Sequence, residues 1–221
     1  MAATVAATTV ATTVGALPSA SADPCPDIAV AFVRGTGEPP GVGMVGQAFV
    51  DALRAQAGGR TVGVHGVNYP ASNNYADPVA FRSNVVDGIR DESSHVQGVL
   101  TVCPDSEMVL GGYSQGAAVT ALVTSDEAPT DMPADAPLPQ AIDDRVRAVV
   151  LFGKPAGGSL VKYGVPDADV GPPYAAKSLE LCAPGDMVCS GDPAAGQDAA
   201  HGSYAFNGMA AEGAAVAISR L

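Results

Sequence analysis

Basic side chains are scarce in this sequence, with 11 against 23 acidic ones in 221 residues and a formal net charge of -12. Such a surface is repelled by nucleic-acid phosphates and by anionic membranes, so neither is an expected partner. Histidine is scarcer still. His65, His95 and His201 stand far apart, and no C-x-x-C pair exists, so the short-spaced ligand pairs that tetrahedral zinc requires are missing and no metal is expected. No apolar run is long enough to span a bilayer as a helix, which leaves no stable membrane anchor. No internal repeat is evident.

The residues present can bury one substantial core, since 47% are apolar, and the length leaves little room for a second domain. Residues 1–22 carry no charge, read mostly Ala, Thr and Val until Pro18, and end in Ala20-Ser21-Ala22, the small-x-small pattern of a signal-peptidase site. They are read as a secretion signal, followed by a single domain over 23–221, in a secreted, extracellular protein. A basic leading segment is absent because Met1 precedes Ala2 and Ala3 directly, so a truncated start is expected. Cys25, Cys103, Cys182 and Cys189 all follow the cleavage site, and an even count in an exported chain reads as two disulfides. Three pairings are open. If Cys182 joins Cys189 the loop is tight and Cys25 with Cys103 closes a long one, contributing about 2.5 and about 4.5 kcal/mol in the chain-entropy model.

Ile28-Ala29-Val30-Ala31-Phe32-Val33 is a continuous apolar run of the kind found in a parallel strand buried on both faces. Over 42–57 the larger apolar residues recur at Val45, Phe49 and Leu53, one face of a helix ended by Gly58-Gly59. A short strand is expected at 61–67. Asp77-Pro78 then supplies a cap and a first-turn proline for a helix buried through Phe81, Val85 and Ile89. A third strand begins at 107–110 and stops at Gly111-Gly112, with an apolar helix at 117–123. Residues 125–140 hold four prolines and four acidic residues and read as a solvated loop. Strands at 146–152 and 177–182 and a helix at 209–221 complete the pattern. The alternation predicts an α/β fold, a three-layer α/β/α sandwich around a mainly parallel five-stranded sheet.

Gly112-Tyr113-Ser114-Gln115-Gly116 matches G-x-S-x-G, a sharp strand-to-helix turn that lifts a serine hydroxyl above the sheet. The pentapeptide alone is a weak signal. Its place between an apolar strand and an apolar helix is the context the motif demands. A serine hydroxyl needs a base in hydrogen-bond reach and a carboxylate to orient that base. In this elbow type the chain order is Ser, acid, His, which leaves His201, since His65 and His95 precede Ser114. His65 reads as a strand-end residue, and His95 as a solvated residue at a helix end. Among the acids, Asp186 lies between Cys182 and Cys189, where a short disulfide loop would hold it; Asp192 and Asp198 are rivals on unstapled stretches, and Asp167 and Asp169 fall in the preceding loop. The oxyanion donors expected are the backbone N–H of Gln115 and that of Thr36, whose hydroxyl could add another.

Taken together, Arg34-Gly35-Thr36-Gly37-Glu38, Gly66-Val67-Asn68-Tyr69-Pro70-Ala71, the Ser114 pentapeptide, Leu151-Phe152-Gly153, Cys182 through Cys189 around Gly185-Asp186, and His201 with Tyr204 resemble the cutinase family of small secreted serine esterases, particularly its actinobacterial members. The resemblance implies a lidless α/β-hydrolase core and disulfides Cys25–Cys103 and Cys182–Cys189. It also implies Ser114 as nucleophile, His201 as base and then acid, Asp186 as its orienter, Thr36 with Gln115 as oxyanion hole, and no cofactor. A monomer acting on an ester is expected. The chain departs from the fungal members at residues 192–200, which are small or polar where those carry larger aliphatics, so little apolar rim is expected and short- to medium-chain esters, cutin-type polyesters among them, are favoured over packed lipid. Acetylxylan deacetylation and lipase or phospholipase action are the alternatives within the class, and a non-catalytic secreted surface-binding protein is the alternative outside it.

Overall fold

The structure, a computed structural model, describes Met1 and residues 25–126, 137–167, 169–194 and 198–221. The expected signal at 1–22, apart from Met1, and residues 127–136 of the acidic loop lie outside these. Five strands form one sheet: β1 Ile28–Val33, β2 Val62–Gly66, β3 Glu107–Tyr113, β4 Val146–Phe152 and β5 Ser178–Leu181. Their spatial order is β2-β1-β3-β4-β5 and every pairing is parallel. The helices are α1 Gly43–Gln56, α2 Pro78–Val102, α3 Gln115–Val123, α4 Pro172–Ala175, α5 Met187–Ser190, α6 Asp198–His201 and α7 Met209–Ile218.

The period of two along a strand divides the core. Ala29, Ala31 and Val33 of β1 join a cluster with Val85 and Ile89 of α2 and Val119 and Leu122 of α3. Ile28, Val30 and Phe32 face the other way, onto Phe49 and Leu53 of α1 and Ala214 and Ala217 of α7. Phe49 closes edge-on against Phe152 of β4, ring centroids 5.7 Å apart. A sheet covered on both faces needs strands that are apolar on both, which is why β1 and β4 read as unbroken runs. β3 departs from the expected stop at Gly111-Gly112 and continues to Tyr113. The glycines are strand residues, and the space a side chain on Gly111 would need is filled by the Phe32 ring.

Helix α2 starts as the sequence predicts, with Asp77 accepting from Ala80 N at 3.0 Å and Pro78 in the first turn. It runs for 25 residues, so His95 stands well inside it rather than at its end. There the imidazole is half-buried and stacked on His65 of β2 at 3.7 Å, while His65 Nε2 meets Asp91 Oδ2 at 2.7 Å. Burial, aided by His65 and opposed by Asp91, pushes His95 down to about 4 and keeps it neutral near pH 7. The expectation of a solvated histidine is therefore corrected. Two disulfides close the chain, Cys25–Cys103 and Cys182–Cys189. The first fastens the segment before β1 to the residue that caps α2.

Helix α3 is buried along its whole length, and its interior Thr120 would leave an unsatisfied hydroxyl without a partner. Glu92 of α2 supplies one. Its carboxyl, fully buried, lies 3.0 and 3.2 Å from Thr120 Oγ1, which in turn reaches the Gly111 carbonyl at 3.3 Å. Burial drives the Glu92 pKa well above the ordinary carboxylate value against the smaller pull of the Thr120 hydrogen bond. As pH rises past the unfolded carboxylate pKa, the unfolded chain loses this proton while the folded one keeps it, and stability falls. Glu92→Gln should therefore match the parent near pH 4 and be the more stable protein at pH 8 in urea unfolding. An equal gap at both pH values would contradict a protonated Glu92.

Candidate active site

In an open parallel sheet, the connections after two adjacent strands leave on opposite faces where the strand order reverses, opening a crevice at their carboxyl ends. Here β1 and β3 are those strands. The segment after β1 carries Thr36, and the turn after β3 carries Ser114. At that turn the backbone of Ser114 adopts φ 55° and ψ -120°, a conformation that costs a non-glycine residue about 1–3 kcal/mol. Its N–H donates to the Phe152 carbonyl at 2.9 Å. A Cβ on Gly116 would run into the Val33 carbonyl, and one on Gly112 into the Gly116 carbonyl. The two glycines of the motif are thus what allows α3 to begin hard against the end of β1.

His201 arrives on α6 and places Nε2 2.8 Å from Ser114 Oγ, with Nδ1 2.9 Å from Asp186 Oδ2. An ionised carboxylate only accepts, so Nδ1 carries the proton and Nε2 is left to accept from the serine hydroxyl. Asp186 is fully buried and caps α5, its Oδ1 accepting from Val188 N at 2.8 Å. Burial works to raise its pKa, but the hydrogen bonds from His201, Tyr204 and Val188 outweigh it and hold the carboxyl below its ordinary value. The Cys182–Cys189 disulfide spans this loop. Asp192 instead accepts from Ala194 N within its own turn, Asp167 from Gly158 N, and Asp169 pairs with Lys154. The side chain of Asp198 lies outside the described residues.

Two tyrosines complete the arrangement. Tyr204, wholly buried, donates to Asp186 Oδ2 at 2.5 Å while accepting from Ala183 N at 3.0 Å. Burial, and then the hydrogen bond to Asp186, raises the Tyr204 phenol far above its ordinary pKa, so it stays a donor. Tyr113 donates to the His201 carbonyl at 2.8 Å and lays its ring 5.1 Å from the imidazole. Neither role was signalled by sequence spacing, because both contacts join segments far apart in the chain. Tyr204 stands three residues after His201, and Tyr113 directly precedes Ser114.

The Thr36 turn is held by buried Arg34, which donates to the carbonyls of Glu38 at 3.0 Å, Val67 at 3.1 Å and Tyr69 at 2.5 Å. The Tyr69 hydroxyl returns a bond to the Arg34 carbonyl at 2.6 Å, and Glu38 accepts from Gly35 N and Met44 N, both at 2.7 Å. Contrary to expectation, the Thr36 hydroxyl is already engaged, donating to Gln115 Oε1 at 3.0 Å. Gln115 Nε2 is buried without a partner among the described residues. A cavity of about 520 Å³ opens over Ser114 between these turns. The prediction of little apolar rim is also corrected: Tyr75, Phe81, Leu160, Met187 and Val188 line it, all from segments other than 192–200.

The family model described as Cutinase matches residues 24–221. Carboxylesterase Culp1 of Mycobacterium tuberculosis is 44% identical over 205 residues, covering 92% of this chain and 85% of that protein. Phospholipase Culp4 of the same organism is 43% identical over 192 residues, covering 86% and 78%. Among solved structures, a Trichoderma reesei cutinase holding a phosphonate inhibitor is 35% identical with a TM-score of 0.63, covering 89% of this chain and 77% of that one. An acetyl xylan esterase at 24% identity and a TM-score of 0.72, over 89% and 99%, shares the fold.

The Asp186 environment yields a direct test. A carboxyl with a depressed pKa lends stability that is present above the unfolded pKa and lost as pH falls through the folded one. Tyr204→Phe removes one of the donors that depress it, so acid unfolding followed by near-ultraviolet circular dichroism should occur at higher pH than in the parent. The loss at neutral pH should be about 1.5–3 kcal/mol, the worth of a hydrogen bond to a charged group. An unchanged acid midpoint would remove Tyr204 from this account.

Proposed function

The chain belongs to the cutinase family and is a carboxylic ester hydrolase, and from that premise we propose that it is an exported serine esterase working through an acyl-enzyme on Ser114. The observation that carries the proposal is the unbroken line of hydrogen bonds from Ser114 Oγ through His201 to Asp186, 2.8 and 2.9 Å in length. Ser114 Oγ attacks the ester carbonyl as His201 Nε2 takes its proton, and the carbonyl electron pair moves onto oxygen. The backbone N–H groups of Thr36 and Gln115 receive that oxyanion. Half a turn of the Gln115 amide would let Nε2 donate to Thr36 Oγ1 and free the threonine hydroxyl as a third donor. Collapse of the intermediate expels the alcohol, protonated by His201, and water then cleaves the acyl-enzyme through the same base.

Residues 1–22 serve in this reading as the export signal and 23–221 as one domain. The two disulfides are suited to an oxidising compartment, and among the described residues no helix is long and apolar enough to cross a membrane. A cavity of about 520 Å³ with apolar walls supports short- to medium-chain acyl esters, with cutin-type polyesters among them.

On 4-nitrophenyl butyrate, Ser114→Ala should lower kcat by at least about 10³-fold without unfolding the protein. Turnover like that of the parent would end the proposal. Across an acyl series, kcat/KM should peak at short to medium chains. A sharp optimum at acetyl would point to carbohydrate deacetylation, and a steady rise on emulsified long chains to lipase or phospholipase action.

A further inference from the structure

The chain has three lysines. Lys154 is held by Asp169 and Glu180, each at 3.2 Å, and Lys177 donates to the Asp143 carbonyl at 2.8 Å. Lys162 makes no hydrogen bond or ion pair among the described residues. It sits on a short 3-10 turn at Val161–Tyr163, with Nζ 5.0 Å from the centroid of the Tyr163 ring. Tyr163 packs on Phe81 at 4.8 Å and on Tyr75 at 5.5 Å, and Lys162 joins Phe81 and Tyr75 in lining the cavity over Ser114. No carboxylate among the described residues lines that cavity. In a protein of net charge -12, one wall of the ester site thus offers an ammonium that is unpaired, and meets no competing acid, among the described residues. A lysine resting on an aromatic face is held by about 0.5–1 kcal/mol at an exposed site, so it can turn to an incoming anion without breaking an ion pair.

We propose that Lys162 is a specificity-determining residue that receives an anionic group on the ester, making esters with a carboxylate, sulfonate or phosphate-type substituent the favoured substrate class. The inference deepens the serine-esterase reading and rests on it. The neighbouring aromatic rings take the apolar part of the substrate while the ammonium takes the charge, so an anionic ester gains where a neutral one of equal length does not.

The test compares matched pairs of esters. One arm sets mono-4-nitrophenyl adipate against 4-nitrophenyl hexanoate, with the charge on the acyl side; the other sets 4-sulfophenyl butyrate against phenyl butyrate, with the charge on the alcohol side. The ratio of kcat/KM, anionic over neutral, is measured for the parent, Lys162→Met, Lys162→Arg and Arg54→Gln. Arg54 lies in the last turn of α1, which covers the opposite face of the sheet from the cluster that Leu160 and Tyr163 join, and its loss changes net charge equally. In at least one arm Lys162→Met should lower the ratio about two- to fivefold, chiefly through KM, as expected for an exposed charged contact. Lys162→Arg should restore most of it, and Arg54→Gln should leave it as in the parent. A ratio unmoved in both arms by Lys162→Met, or moved as much by Arg54→Gln, would overturn the inference. Failure of the parent to hydrolyse the neutral esters would instead overturn the esterase reading, and the subsite with it.

Discussion

The site depends on one close approach, the backbone of Gly116 against the Val33 and Arg34 carbonyls. That contact sets the start of α3 beside the end of β1, and with it brings Ser114 and Gln115 next to the turn that carries Thr36. Any side chain at position 116 would push the helix from the sheet and separate the two halves of the site. The positive φ of Ser114 is the local cost of this junction, and burial of every residue of α3 holds it in place. Arg34 fixes the facing turn through three carbonyls, so neither side of the crevice is left to its own flexibility.

Two buried carboxyls show how environment sets charge. Asp186 is surrounded by donors: His201, Tyr204 and the Val188 N–H all point at it, and it stays ionised although no water reaches it. Glu92 has one hydroxyl for company, and it keeps its proton. The first can orient and stabilise an imidazolium; the second acts as a neutral hydrogen-bonding link between α2 and α3. Numbers of donors, rather than depth of burial, separate their roles.

Much of this was legible in the sequence. Continuous apolar runs located β1 and β4, the Asp77-Pro78 pair located the start of α2, and the order of Ser114, Asp186 and His201 selected residues that the fold brings into hydrogen-bond contact. The errors share a cause in long-range packing. Gly111-Gly112 looked like a strand end because a glycine pair usually breaks structure, yet the Phe32 ring from β1 fills the space above it. His95 looked solvated because its sequence neighbours are polar, while its stacking partner His65 lies 30 residues away. The roles of Arg34, Tyr113 and Tyr204 depend on carbonyls and carboxylates that only the folded chain brings near. The apolar rim was missed because 192–200 was judged alone, without Tyr75 and Leu160 from other loops.

The central claim is that His201 and Asp186 make Ser114 a nucleophile. Stoichiometric labelling by a fluorophosphonate, with the modified peptide identified by mass spectrometry, measures that property without reference to any natural substrate. The account predicts one equivalent bound, on the peptide containing Ser114, and labelling slowed by at least about 10³-fold in folded His201→Ala. Absence of labelling in the folded parent protein, or labelling at another residue with Ser114 untouched, would contradict it.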